Sequence, residues 1–210
     1  MVGRNAVYRL QKRDIWVTGM IAASCLVALL IQCMISVQWN TDKKKMQQEL
    51  ANEVLRFHVL ANSDSEKDQE QKLRVRDAII EVLEPVLEGA RDNQESKERI
   101  MKYMKIIENA AKKIVGEYPV TISILKDYFP QITYGDFVFP AGEYEALRVE
   151  IGEAKGHNWW CLLYPGLCFT DICNPVLEEE GKEKLRMVLN EDTYEGLICP
   201  DKIKIRFRWF

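Results

Sequence analysis

From Ile15 through Thr41 the chain carries no Asp, Glu, Lys or Arg. As a helix, the 25 residues Ile15 to Trp39 span about 37 Å, more than the roughly 30 Å hydrocarbon core of a bilayer. Trp16 and Trp39 sit near the two ends, where interfacial aromatics belong. Arg4, Arg9, Lys12 and Arg13 precede the run, and Lys43, Lys44 and Lys45 follow it. This bias places the N-terminus in the cytoplasm and everything after Thr41 outside. A cleaved signal peptide has a shorter apolar core and a small-x-small site behind it, and no such site precedes Asn40. Cys25 follows Ala22-Ala23-Ser24, a poor lipoprotein site in mid-segment. The expectation is a cytoplasmic N-terminus over 1–14 and a membrane anchor or uncleaved signal sequence over 15–39. Cys25 and Cys33 are then lipid-embedded small hydrophobes.

The charge is unevenly placed. Residues 1–45 hold seven Lys/Arg against two Asp/Glu, and the rest of the chain holds 22 against 30. An acidic body argues against a nucleic-acid partner, because phosphate binding needs clustered Lys and Arg. No Gly-rich phosphate loop occurs. No cofactor motif is present, and the cysteine and histidine spacings do not form the paired knuckles of structural zinc.

Residues 40–51 read as a linker. Val54 to Leu60 reads as a strand with Arg56 and His58 on one face. Ser65, with Asp68 three residues on, is a helix-start pattern, and the helix runs to about Glu88 with an apolar stripe through Val75, Ile79, Val82 and Val86, widened by Leu73, Ile80, Leu83 and Leu87. A second helix spans about Asn93 to Val115, with Ile100, Met104, Ile107, Ala111 and Ile114 on its apolar face. The period then switches to two. Val120, Ile122 and Ile124, then Phe137 to Phe139, then Tyr144 to Ile151, then Trp159 to Leu163 read as strands. The expected class is α+β: a single membrane-spanning helix, then one domain over 52–175 with a mainly antiparallel sheet and two helices packed on one face. Residues 176–210 form a C-terminal extension with a short helix and a basic/apolar strand, Lys202 to Phe210. That strand reads as a protected sheet edge or as a contact with anionic lipid or wall polymer.

His157-Asn158-Trp159-Trp160-Cys161 through Cys168-Phe169 concentrates rare residues. The adjacent Trp residues suit a packed platform. Pro165-Gly166 is turn chemistry between two cysteines, which brings Cys161 and Cys168 within bonding reach. Cys173 and Cys199 leave three full pairings open for four exported cysteines, of which the local pair is favoured.

Phe57-His58-Val59-Leu60-Ala61-Asn62-Ser63-Asp64, Asp68-Gln69, Lys72 to Asp77, Pro140 to Tyr144 and Asn158-Trp159-Trp160-Cys161 through Cys168-Phe169 together resemble the stage II sporulation protein R family over about residues 50–173. The resemblance implies a protein made in the forespore of an endospore-forming bacterium and exported to the space between forespore and mother cell. It implies that the chain, anchored or secreted, activates a membrane-embedded aspartic protease of the mother cell. That protease removes the pro-sequence of the mother-cell sigma factor. The resemblance supplies no catalytic residue.

The residues allow one enzymatic alternative, an extracytoplasmic thiol-dependent hydrolase of cell-wall peptides. Cys161 would be its nucleophile, with His157 or His58 as base and Asn158 to orient the imidazole. A second cysteine seven positions on favours the oxidised, non-catalytic state outside the cytoplasm. The binding reading needs only a rigid exported domain. Its candidate recognition surface is Asn62, Asp64, Arg74, Arg76, Asp77, His157, Asn158, Trp159 and Trp160, with Cys161 and Cys168 as the candidate disulfide.

Overall fold

The computed structural model describes residues 3–166, 168 and 179–198, with side chains from residue 16 onward. The chain divides into two units, Met1–Lys45 and Met46–Phe210. The first unit is helical throughout its described part, within α1 (Gly3–Glu53). The helix is long and apolar enough to cross a membrane. Lys43 folds back over the Trp39 ring at 5.2 Å, keeping its charge beside the aromatic that ends the apolar run.

The second unit takes in the last turns of α1, so 40–51 is helical where a linker was expected. The reason is compositional. Lys43 to Glu53 contains Lys, Met, Gln, Glu, Leu and Ala and no Gly or Pro, and Leu50 finds a fully buried place.

Four strands form the main sheet in the order β2, β5, β1, β6. They are β1 (Leu55–Leu60), β2 (Val120–Phe129), β5 (Gly142–Ile151) and β6 (Asn158–Tyr164). β1 runs parallel to β5 and antiparallel to β6, and β2 runs antiparallel to β5. β3 (Ile132–Tyr134) and β4 (Phe137–Phe139) make a separate two-stranded hairpin. The sheet is therefore mainly antiparallel with one parallel pair. That pair follows from the long α-helical crossover between β1 and the later strands.

α2 (Glu66–Leu87) and α3 (Asn93–Val115) cover one face. Ser65 caps α2 by accepting from the Asp68 N–H, and Asp92 caps α3 by accepting from the Glu95 N–H. Gly116, at φ 66° and ψ −114°, ends α3 in a backbone region that favours glycine. Val75, Ile79, Leu83 and Leu87 of α2 and Ile100, Ile107, Ala111 and Val115 of α3 pack on Leu55, Phe57, Val59, Leu147 and Val149. Leu73, placed in the apolar stripe by its sequence position, is exposed instead.

Helices cover the second face as well, which is a difference from the expected one-sided packing. Leu50 and Val54, the hairpin, α4 (Glu179–Val188) and α5 (Glu191–Leu197) bury Ala146 and Leu162 on that side. Five helices are described in all. β1 lies between the two cores, and all six of its residues are buried. Arg56 and His58 share its second face, as the alternation requires. The expected strand Lys202 to Phe210, together with Cys173 and Cys199, lies outside the described residues.

Candidate functional site: a two-loop clasp beside the first helix

The segment after β1, Asn62-Ser63-Asp64-Ser65, is rich in side chains that bond to nearby backbone. Here they bond across to the loop between β5 and β6. Asn62 Oδ1 accepts from the Glu153 N–H (3.0 Å), and Asp64 Oδ1 accepts from the His157 N–H (2.6 Å). Backbone pairs add to the join: Gly156 N–H to the Ala61 carbonyl (2.9 Å) and Lys155 N–H to the Asn62 carbonyl (3.3 Å). Gly156 permits this closeness, since a Cβ there would lie 2.6 Å from the Ser63 carbonyl carbon. Gly152, at φ +60°, sits where a Cβ would lie 2.8 Å from Asn62 Cγ.

The first turns of α2 lock the clasp from beneath. Asp68 Oδ2 accepts from Ser63 Oγ (2.6 Å) and Asn62 Nδ2 (2.8 Å). Gln69 Nε2 donates to the Ser63 carbonyl (2.9 Å). Lys72 Nζ, buried on the same helix face, donates to Gln69 Oε1 (2.6 Å) and to the His157 carbonyl (2.9 Å). Positions 68, 69 and 72 are helical neighbours, so one face of α2 reaches both loops.

The electrostatics follow from these bonds. The Ser63 hydroxyl, then the Asn62 amide, hold the Asp68 carboxyl below its ordinary range. The His157 backbone N–H, then its ring, do the same for Asp64. Burial, then the neighbouring Arg76, lowers the Lys72 ammonium. Because the ionised Asp64 only accepts, its contact with His157 Nδ1 requires that nitrogen to carry the hydrogen.

Beside the clasp, Arg76 lies over the Trp159 ring at 4.9 Å and donates to Asp77 Oδ1 (2.7 Å). Trp159 stands edge-on to Phe57. Arg74 is exposed on the same helix. The structure thus gathers Asn62, Asp64, His157, Arg76, Asp77 and Trp159. It separates Asn158 and Trp160, whose register partners are Leu60 and His58 on the opposite face. Trp160 stacks on His58 (4.9 Å, 12°) and meets Phe129 edge-on. The Trp pair is not one platform, because adjacent strand residues point to opposite faces. Ser63, Asp68, Gln69, Gly152 and Gly156 belong to the clasp without having been singled out as site residues. The spacing of Asp68, Gln69 and Lys72 one turn into a capped helix was the available signal.

The thiol machinery does not assemble. Cys161 Sγ is bonded to Cys168, with 5.9 Å between Cα atoms, and Cys161 is buried in the core under α2 and α3. His58 lies on the other face of the sheet, and the His157 ring is held by Asp64. His58 Nε2 is 3.3 Å from Asp127 Oδ2 without hydrogen-bond alignment. Burial outweighs that carboxylate and depresses the His58 pKa to about 4. Among the described residues, no group of three or more His, Cys, Asp or Glu is placed to hold a metal ion.

What the site offers is a rigid pair of loops with an exposed imidazole, an Arg–Trp stack and flanking charges. The model of the family described as stage II sporulation protein R matches residues 51–174, a stretch that contains both loops, α2 and the disulfide. Stage II sporulation protein R of Bacillus subtilis (strain 168) is 36% identical over 140 residues, covering 64% of this chain and 62% of that relative, less than two thirds of its length. No solved structure matches the chain. With more than half its length matched by the family model, the chain belongs to the stage II sporulation protein R family.

Proposed function

We propose that the chain is an exported intercellular signal of endospore formation. It activates a membrane-embedded aspartic protease of the mother cell, which then processes the precursor of the mother-cell sigma factor. The N-terminal apolar helix serves as anchor or export signal, and the body acts outside the cytoplasm. The observation that carries this reading is the family match over 51–174, a stretch that includes the clasp. The geometry is in keeping with it. The site residues are spent on holding two loops still, and the cysteine that could have served as nucleophile is bonded to another. A pre-ordered surface loses little freedom on binding, which favours recognition.

The recognition surface in this reading is Asp64, Arg74, Arg76, Asp77, His157 and Trp159. Co-expression of the chain with the candidate protease and the sigma precursor tests it. Trp159→Ala and Arg76→Ala are expected to cut precursor processing at least about tenfold, as anchor residues do at interfaces. Lys113→Ala, on the exposed side of α3, is expected to leave it unchanged. Undiminished processing in the Arg76→Ala/Trp159→Ala double variant would place the recognition surface elsewhere.

A further inference from the structure

Several polar side chains in the spanning segment of α1 bond within the helix. Ser24 Oγ donates to the Ile21 carbonyl, Ser36 Oγ to the Gln32 carbonyl and Thr41 Oγ1 to the Val37 carbonyl. Gln38 Nε2, at the outer end, donates to Asp42 Oδ1. The Gln32 side-chain amide has no such partner. It sits four residues from the midpoint of the uncharged run, about 6 Å along the axis and inside the hydrocarbon layer. An amide there has two donors and an acceptor with no water to meet them, so it seeks a partner on another helix.

Its position says which helix. Ala22, Cys25, Leu29, Gln32, Ser36 and Trp39 follow one another at alternating spacings of three and four. All six lie within an arc of about 100° on one face of the helix, a seam marked out by Gln32. Small residues at 22, 25 and 36 let two backbones approach. A primary amide is self-complementary, since each Gln can donate to its copy's carbonyl and accept in return. In a parallel pair, equal depths meet, which brings Gln32 against Gln32 and Cys25 against Cys25 one heptad away. Aliphatic residues surround the seam on both sides, and no charge within the run calls for a partner of opposite sign.

We infer that the membrane segment pairs in parallel with a second copy of itself through the Ala22–Trp39 seam, with Gln32 as the interhelical hydrogen bond. The inference rests on the reading of this segment as a spanning helix. Cys25 and Cys33, both free, provide the test, because Cys33 lies about 80° around the helix from Cys25 and about 100° from Gln32. The full chain, with Cys173→Ser and Cys199→Ser, is placed in bacterial membrane vesicles as a Cys25-only and a Cys33-only form and oxidised with copper phenanthroline. Alkaline carbonate extraction is run on the same vesicles. The Cys25-only chain is expected to form a band of twice its mass, and the Cys33-only chain is not. Adding Gln32→Leu, which makes the span more apolar and leaves insertion intact, is expected to lower the Cys25 dimer about fivefold, with Gln32→Asn retaining part of it. Equal cross-linking at Cys25 and Cys33, no effect of Gln32→Leu, or a band that is not twice the chain's mass would overturn the pairing while carbonate-resistant protein upholds the anchor. Release by carbonate would instead remove the anchor reading and the pairing with it.

Discussion

Gly156→Ala tests whether the clasp is a structural unit or two loops that merely lie together. The added methyl would sit 2.6 Å from the Ser63 carbonyl carbon and 2.9 Å from Ala61 Cβ. These are parts of the facing loop's backbone and stem, so no side-chain rotation relieves the clash. The loops must part, and four bonds from backbone N–H groups cross the gap: Gly156 to Ala61, Lys155 to Asn62, Glu153 to Asn62 Oδ1 and His157 to Asp64. At about 1 kcal/mol net for each, and with partial relaxation, the loss comes to about 2–4 kcal/mol. Gly142→Ala is the matched control. The nearest atoms to its methyl would all belong to the Gln47 side chain, with Cδ at 2.5 Å, which can swing away at a cost of under about 1 kcal/mol. Urea unfolding of residues 46–210, followed by circular dichroism, is expected to show a midpoint lowered by roughly 1–2 M for Gly156→Ala. The control is expected to move by a few tenths of that. Equal midpoints for the two variants would show that the loops are not held as described.

Three further outcomes follow from other parts of the body. The His58 pKa is depressed from 6.5 to about 4, so the unfolded chain binds the proton first. Stability is then full above pH 6.5 and falls by about 3 kcal/mol as pH drops to 4; a His58→Phe body whose urea midpoint declines as steeply over that window would contradict it. Cys161 and Cys168 are seven positions apart, and a loop that short constrains the unfolded chain by about 2–3 kcal/mol. The double Ala variant should lose that amount in the same assay, and an unchanged midpoint would refute the estimate. Arg56 is fully buried, with its guanidinium between Phe129, Phe139 and Tyr144 and beside the Tyr134 hydroxyl, but in no aligned hydrogen bond; burial lowers its pKa. Arg56→Met is therefore expected to be neutral or stabilising, and a loss above about 3 kcal/mol would show that the aromatic contacts outweigh the desolvation of the charge.

The parts of this fold that the sequence displays most clearly are the local ones. The second helix runs from Asn93 to Val115 in both the periodicity and the structure, because its cap, apolar stripe and terminal glycine are all encoded within the segment. Ser65 caps α2 for the same reason. Elements that depend on distant partners were less visible. Lys43 to Glu53 has the charge of a solvated linker, and only the second core explains why Leu50 is buried. The parallel pairing of β1 with β5 joins residues some ninety positions apart, and no local pattern announces it. The second helical layer depends on α5, a seven-residue helix too short for a clear period. At the site, Asn62, Asp64 and His157 stood out by residue type, whereas Gly152 and Gly156 matter only through the backbone that approaches them. The split of Trp159 from Trp160 was encoded in the strand period, although their rarity drew them together as a pair.

We propose that this chain signals to a protease and does not itself cleave. The most direct measurement mixes exported, purified residues 46–210 with the sigma precursor, with and without membranes carrying the candidate receptor protease, and follows precursor length on a gel. Cleavage is expected only when chain, protease and precursor are all present, and no cleavage of precursor or wall peptides by the chain alone. Cleavage by the purified chain without the protease, abolished in both Cys161→Ser and His157→Ala, would contradict it and restore the thiol mechanism.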